Sequence, residues 1–306
     1  MRVLVTGAGG FLGGAICRRL AQRGDLEVIA TARRASSPPA PRLLDLQDQS
    51  AIVQTLAALR PDIVIHAAGR PRGSAGDFEA DNVVATANLA EAIGEAAPDA
   101  GLILLSSAAQ YGRSPHRTRW RETDPGTPID AYGASKLAAE RAAFDSAARR
   151  GARVAALRLF NVISPDTAGD TAFSSFVAKA IHAVQNRPAG AVEMAPLGAI
   201  RDFVALDDFL HVVELAIGRG VWGESVNVCT GVGRTVRELI EPAVAAIGLG
   251  LRLREPTAAA SPLDWSVGDP SLCQARLGFS PSSDLSPLIR QAAAAVQAAA
   301  QARHHA

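Results

Sequence analysis

Tyr132 and Lys136 stand four residues apart in Tyr132-Gly133-Ala134-Ser135-Lys136, a spacing that on a helix places a phenol and an ammonium one above the other. A phenol with a pKa near 10 is a poor base at neutral pH, and a fixed cation beside it favours the phenolate. The pattern is common by chance when it stands alone. It gains weight from Leu105-Ser106-Ser107 upstream, where a hydroxyl at the end of a strand reaches into the same cleft. Phenol, ammonium and hydroxyl together are the groups needed to move a proton on and off an oxygen while charge develops there.

A second group of residues points to an anionic ligand. Thr6-Gly7-Ala8-Gly9-Gly10-Phe11-Leu12-Gly13 follows a short β-branched run and opens a helical pattern, the context that a glycine-rich phosphate loop requires. Glycines at 7, 10 and 13 let the backbone turn sharply and approach a pyrophosphate, while the helix N-terminus supplies N–H donors and partial positive charge. The end of the second strand, where a fold selecting NAD carries an acidic residue, reads Ala32-Arg33-Arg34. Guanidinium groups bind a 2′-phosphate by charge-assisted hydrogen bonds. Arg33 and Arg34 therefore predict NADP(H) over NAD(H), with NAD(H) the alternative if both are solvated loop residues.

The elements that must position these groups follow from hydrophobic patterning. Strands are expected near 3–5, 27–31, 62–67, 102–105 and 154–160, and helices over 11–20, 50–59, 81–95 and 131–148. Continuous apolar strands alternating with helices of this length predict an α/β fold with a doubly wound parallel Rossmann sheet. Beyond residue 161 the regularity loosens, with helices expected at 173–184, 236–247 and the last twenty residues, and a strand at 226–228. The dinucleotide-binding domain is thus placed at 1–161 plus roughly 197–229, and a smaller substrate-binding part at 162–196 and 230–306. Of the 306 residues, 48% are hydrophobic and 20% charged, and 31 Lys and Arg offset 30 Asp and Glu. That balance provides no global field for nucleic acid or an anionic membrane. Three scattered cysteines, Cys17, Cys229 and Cys273, argue against a disulfide framework and a structural metal site, and fit a reducing cytoplasm.

In order along the chain, these segments resemble the extended short-chain dehydrogenases/reductases of the NAD(P)-dependent epimerase/dehydratase family. The resemblance extends to Asp45-Leu46, His66-Ala67-Ala68-Gly69, Asn82, Arg158-Leu159-Phe160-Asn161, Arg201-Asp202-Phe203-Val204 and Asn227-Val228-Cys229-Thr230-Gly231. It implies a cofactor bound by Gly7, Gly10, Phe11, Leu12, Gly13, Asp45, Leu46, Ala67, Ala68, Gly69 and Asn82 together with Arg33 and Arg34. It also implies that Ser107, Tyr132 and Lys136 are catalytic, that Lys136 lowers the Tyr132 pKa, and that both residues touch the cofactor. Ser107, Asn161 and Arg201 would contact the substrate, often a nucleotide sugar in this family; for Arg201 the alternative is a salt bridge to Asp202 or Asp207. A homodimer through helices 82–95 and 131–148 is implied as well.

Departures narrow the reading. Family dehydratases carry Asp-Glu directly after the catalytic hydroxyl, where this chain has Ala108-Ala109, so a 4,6-dehydratase is not expected. Ala259 stands near the position of a diphosphate-binding arginine found in many nucleotide-sugar epimerases, and Ser164 replaces a glycine. Arg254, or the cluster Arg113, Arg117, Arg119 and Arg121, could substitute for the missing cation. Loose likeness to reductases of GDP-4-keto-6-deoxymannose, together with Arg33 and Arg34, favours an NADPH-dependent 4-keto reductase of a nucleotide-activated deoxysugar. The alternatives are an epimerase with tightly bound NAD and a reductase of a non-nucleotide carbonyl compound.

Overall fold

The computed structural model describes residues 1–34, 41–165, 172–186, 191–194, 197–255 and 264–304. The first half alternates strands and helices: β1 (Arg2–Thr6), α1 (Phe11–Leu20), β2 (Glu27–Ala32), β3 (Arg42–Leu43), α2 (Gln49–Leu59), β4 (Ile63–His66), α3 (Ala75–Phe78), α4 (Ala85–Ala96), β5 (Gly101–Ser107), α5 (Ala131–Arg150) and β6 (Arg153–Leu159). The second half contributes β7 (Asn161–Ile163), α6 (Ala172–Asn186), β8 (Ala191–Glu193), β9 (Ile200–Ala205), α7 (Leu206–Arg219), β10 (Ser225–Val228), β11 (Gly233–Thr235), α8 (Val236–Ile247), β12 (Arg252–Arg254), β13 (Trp265–Ser266), α9 (Ser271–Leu277) and α10 (Ser286–His304).

Seven strands form one parallel sheet in the order β10-β6-β5-β4-β1-β2-β3. Its strands are apolar throughout because both faces are covered. Val3 and Val5 belong to one buried cluster with Ile16 of α1 and Val212 and Val213 of α7, whereas Leu4 points into the opposite cluster with Ile52, Leu56, Leu89 and Ile93. The chain order reverses between β1 and β4, and the crevice at the carboxyl ends of such strands is where an open α/β sheet holds a ligand. This is the doubly wound Rossmann architecture that the pattern predicts.

A smaller layer packs beside it. β9 lies between β11 and β13 and also pairs with β7, while β8 pairs with β12. Helices α6, α8 and α10 enclose a separate apolar cluster that includes Phe173, Phe176, Leu239, Ile240 and Val296. The stretch 197–229 is therefore divided: β9 sits in the small sheet, and β10 forms an edge of the large one. Short polar side chains set the helix starts near the crevice. Asp48 caps α2 by accepting from the Ala51 N–H, and Asp130 caps α5 by accepting from the Gly133 N–H at 2.7 Å.

The helix expected at 81–95 begins differently, with a π-helical turn at Glu79–Val84 ahead of α4. The wider turn accompanies an inward Asn82, which is 2% exposed. One bond ties this turn to the switch point. His66 at the end of β4 lies between Thr6 Oγ1 at 2.7 Å and Thr86 Oγ1 at 3.0 Å. Thr86 spends its proton on the Asn82 carbonyl at 2.6 Å, so it accepts from His66 Nε2–H, and His66 Nδ1 accepts from Thr6. Burial, with nearby Lys136, pushes the imidazole pKa down from 6.5 to about 3. A depressed histidine binds fewer protons in the native state, so its contribution is intact above pH 6.5 and is lost as pH falls toward about 3. His66→Gln should flatten the loss of urea stability between pH 6.5 and 4; an acid limb as steep as in the parent protein refutes the assignment.

Candidate active site

Gly7 turns the chain out of β1 with φ +70°, and a Cβ there would lie 2.5 Å from the Ala68 nitrogen. Only glycine permits both the turn and the approach. A Cβ on Gly13 would lie 2.2 Å from the Gly7 carbonyl oxygen, so Gly13 serves the close packing of α1 on the turn. Helix α1 is capped by Gly10, without a side-chain hydrogen bond and without an acidic residue in its first turn. Its positive end therefore faces the crevice with no protein anion against it, which suits a dinucleotide pyrophosphate held by the backbone around Gly10, Phe11 and Leu12.

The crevice has a volume of about 340 Å³, and Gly7, Gly10, Arg33, Arg34, Asp45, Leu46, Ala67, Ala68 and Gly69 of the expected cofactor residues line it. Phe11, Leu12, Gly13, Asn82, Tyr132 and Lys136 lie outside this lining. Asn82 works one layer behind. Its Oδ1 accepts from the Arg70 N–H at 2.7 Å, and its Nδ2 donates to the Arg70 carbonyl and, at 2.8 Å, to Ser135 Oγ. It thus clamps the loop after β4 to α5 and holds Gly69 in the wall. Sequence reasoning missed Thr31, Gln47 and Asp81 in the same wall. Asp81 accepts from Arg33 at 2.7 Å, Arg70 at 2.8 Å and Gln47 at 3.2 Å, joining three loops, and no local pattern announces such a hub.

Ser106 and Ser107 end β5 and point to opposite faces. Ser106 is buried on Glu140, 2.5 Å away, and Ser107 starts a 3-10 turn (Ala108–Tyr111), its Oγ accepting from the Ala109 N–H at 3.2 Å. Ser107 lies close enough to the Tyr132 phenol to influence its protonation. Burial holds that phenol above its ordinary pKa; Ser107 opposes the rise and Asp130 adds to it. The expected lowering by Lys136 does not govern here. One helical turn along, Lys136 donates to the Leu105 carbonyl at 2.6 Å, and burial pushes its own pKa down to about 8, with Glu140 pulling the other way. Burial thus favours the protonated phenol of Tyr132, one helical turn from the buried amine of Lys136: a proton donor in a dry setting.

Of the residues expected to meet the substrate, Ser107 ends β5, Asn161 opens β7 and Arg201 lies on β9. Asn161 donates to the Asp202 carbonyl at 3.1 Å, and Arg201 Nη1 to the Ile200 carbonyl at 2.9 Å. Asp202 faces the other side of β9, fully buried, accepting from the Thr230 N–H and hydroxyl and the Gly231 N–H; it is not the partner of Arg201. Arg254 lies 3.6 Å from Glu193, and Ala259 falls outside the described residues. Ala108 and Ala109 occupy the 3-10 turn, so no carboxylate follows the serine. Among the described residues no cluster of three His, Cys, Asp or Glu could hold a metal, and no helix is long and apolar enough to cross a membrane.

Fold and site together define an NAD(P)-binding Rossmann protein with a Ser-Tyr-Lys constellation at the carboxyl edge of its sheet. The sequence model of the NAD dependent epimerase/dehydratase family matches residues 3–229, and the chain belongs to that family, as an extended short-chain dehydrogenase/reductase. It is 33% identical to a dTDP-6-deoxy-L-talose 4-dehydrogenase (NAD(P)(+)) of Kitasatospora kifunensis, over 95% of this chain and 94% of that one. It is 29% identical to the GDP-6-deoxy-D-mannose reductase of Pseudomonas aeruginosa, over 78% of each. Among solved structures it resembles the Thermus thermophilus UDP-glucose 4-epimerase in complex with NAD, with a TM-score of 0.80, 28% identity, and 97% of this chain and 99% of that chain covered.

A lysine whose native pKa is depressed binds its proton less tightly than in the unfolded chain, so its burial cost is fully present below about pH 8 and is relieved as pH rises toward 10.5. Lys136→Met should remove this component. The variant's stability, measured by urea unfolding, should gain less between pH 8 and 10 than the parent's, and parallel pH profiles would contradict the assignment.

Proposed function

We propose that the protein reduces the 4-keto group of a nucleotide-activated deoxysugar with NADPH. The observation that carries the reading is the buried Tyr132 phenol, held in its protonated form near Ser107 and one helical turn from Lys136, in a chain whose glycine turn lines a dinucleotide-sized crevice. When bound, the nicotinamide supplies the hydride. Tyr132 gives its phenolic proton to the carbonyl oxygen as that oxygen becomes negative, and Ser107 donates a hydrogen bond to the same atom. The Lys136 ammonium then stabilises the phenolate that remains. The names of the two relatives, a 4-dehydrogenase using NAD(P)⁺ and a reductase, both on nucleotide 6-deoxysugars, support redox chemistry on this class of substrate.

The preference for NADPH rests on Arg33 and Arg34 in the crevice wall, where a 2′-phosphate has two guanidinium groups to meet. Asp81 holds Arg33 in that wall. Its carboxylate also places negative charge among the arginines, and this favours the second reading, an epimerase that retains NAD. The Thermus epimerase complex holds that cofactor.

Purified protein should oxidise NADPH, followed at 340 nm, in the presence of dTDP- or GDP-4-keto-6-deoxyhexoses. Tyr132→Phe should lower kcat by at least about a hundredfold, the usual scale of general acid catalysis, with NADPH still bound. Arg33→Ala with Arg34→Ala should weaken NADPH by about tenfold or more and leave NADH within a factor of about two. NAD that survives gel filtration, with no consumption of NADPH, would move the protein to the epimerases.

A further inference from the structure

A row of alternating charges starts in the wall of the dinucleotide crevice. Asp81, in the π-helical turn Glu79–Val84, is its centre. Its Oδ1 accepts from Arg33 Nη1 at 2.7 Å and from Gln47 Nε2 at 3.2 Å, and its Oδ2 accepts from Arg70 Nε at 2.8 Å. Arg70 reaches on to Asp77 at 3.5 Å, and Asp77 is itself fixed with Ser74 in the capping box of α3. Arg33, Gln47 and Asp81 line the crevice, whereas Arg70 and Asp77 stand outside its lining. Arg70 is therefore a cation behind the wall, bound to one oxygen of a carboxylate whose other oxygen holds Arg33.

The members of this row differ in freedom. The Asp81 side chain is only 13% exposed, and its neighbour Asn82 clamps both backbone groups of Arg70. Burial opposes ionisation of Asp81, but its bonds to Arg70 and Arg33 outweigh that cost and hold the carboxyl below the usual carboxylate range. The wall thus carries a fixed anion. Arg33 follows the last residue of β2, and its side chain is 45% exposed, so its guanidinium is the movable partner. An ion pair at the edge of solvent contributes little. A guanidinium that leaves it for a phosphate monoester, with about −1.5 to −2 charges at pH 7, meets the stronger anion.

We infer that Asp81 sets the discrimination between NADPH and NADH by competing with the 2′-phosphate for Arg33, and that Arg70 sets the strength of that competition. This assignment rests on the dinucleotide reading of the crevice and refines its cofactor preference. Where the adenosine ribose carries only a hydroxyl, Arg33 stays on Asp81. Where it carries a phosphate, Arg33 leaves, and the carboxylate left behind repels the incoming anion. Arg70 remains on that carboxylate and offsets part of its charge. A dinucleotide fold selecting NAD carries its acidic residue near the end of the second strand; here that strand end supplies arginines, and the acid comes from a turn 48 residues further along the chain.

Equilibrium titration with NADPH and with NADH, each followed by its nicotinamide fluorescence, tests this through the ratio of the two affinities. Asp81→Asn keeps the size of the side chain and an acceptor oxygen but removes the charge, and the ratio should move about tenfold toward NADPH. Arg70→Met should move it toward NADH by about threefold or more, because the carboxylate then acts on Arg33 and the phosphate without its counter-charge. In an Arg33→Ala background the Asp81→Asn shift should shrink, since the guanidinium under competition is gone. A turn that merely scaffolds the crevice would weaken both dinucleotides together. An unmoved ratio, or shifts of the same sign in the two variants, overturns the assignment, and Arg70→Met decides alone if Asp81→Asn does not fold. A parent protein that prefers NADH removes NADPH from the reductase reading while the opposite shifts still judge Asp81; a parent that binds neither dinucleotide ends both.

Discussion

One buried carboxylate holds the catalytic elements in register. Glu140 on α5 accepts from Ser106 Oγ at 2.5 Å, Gln110 Nε2 at 2.9 Å, Ser225 Oγ at 2.8 Å and the Arg158 guanidinium at 2.6 Å. These partners lie on β5, the 3-10 turn, β10 and β6. Glu140 occupies the third position of the stripe begun by Tyr132 and Lys136, so fixing it against the strand ends fixes the phenol and ammonium relative to Ser107. An ion pair removed from water is costly unless its remaining hydrogen-bonding positions are filled, and here they are filled on several sides. Arg158 continues the network to the Tyr111 hydroxyl at 2.8 Å, which donates to Asn227 at 2.7 Å. The same contacts therefore join the serine turn to the far edge of the sheet.

Around this anchor, burial sets protonation states more strongly than neighbouring charge does. It keeps His66 neutral, lowers Lys136 and raises Tyr132. The sequence can show that a cation stands one turn from a phenol. It cannot show that the cation points to a backbone carbonyl and that the phenol is dry, and it is this geometry that makes the phenol a donor.

The parallel sheet, the glycine turn and the Ser-Tyr-Lys set were legible because each rests on local spacing: glycines at the first βα junction, a four-residue helical repeat, a strand ending in serine. In the crevice wall, Asp45, Leu46 and Ala67-Ala68-Gly69 were reached through the resemblance to the family rather than through spacing. Asn82 was recognisable as a site residue but not as a clamp, because its partners Arg70 and Ser135 come together only through tertiary packing. Asp81 and Glu140 were invisible for the related reason that each joins three or more elements distant in sequence. Arg201 illustrates the limit in the other direction. The alternative of a salt bridge to Asp202 fails because strand alternation sends the two side chains to opposite faces.

The chain carries 31 basic residues beyond histidine, but only two of them, Lys136 and Lys179, are lysines. Arginine stays charged at any pH the protein meets, so nearly all of its positive charge is fixed. Lys179 lies outside the crevice, its amine on the Glu193 carbonyl at 3.0 Å. Burial pushes the Lys136 pKa down to about 8, so its charge, unlike that of the arginines, is withdrawn in mild alkali. An amine-acylating reagent would meet the exposed Met1 α-amine and Lys179 first, so modification of Lys136, set apart from those two, would gauge access to the protein's interior.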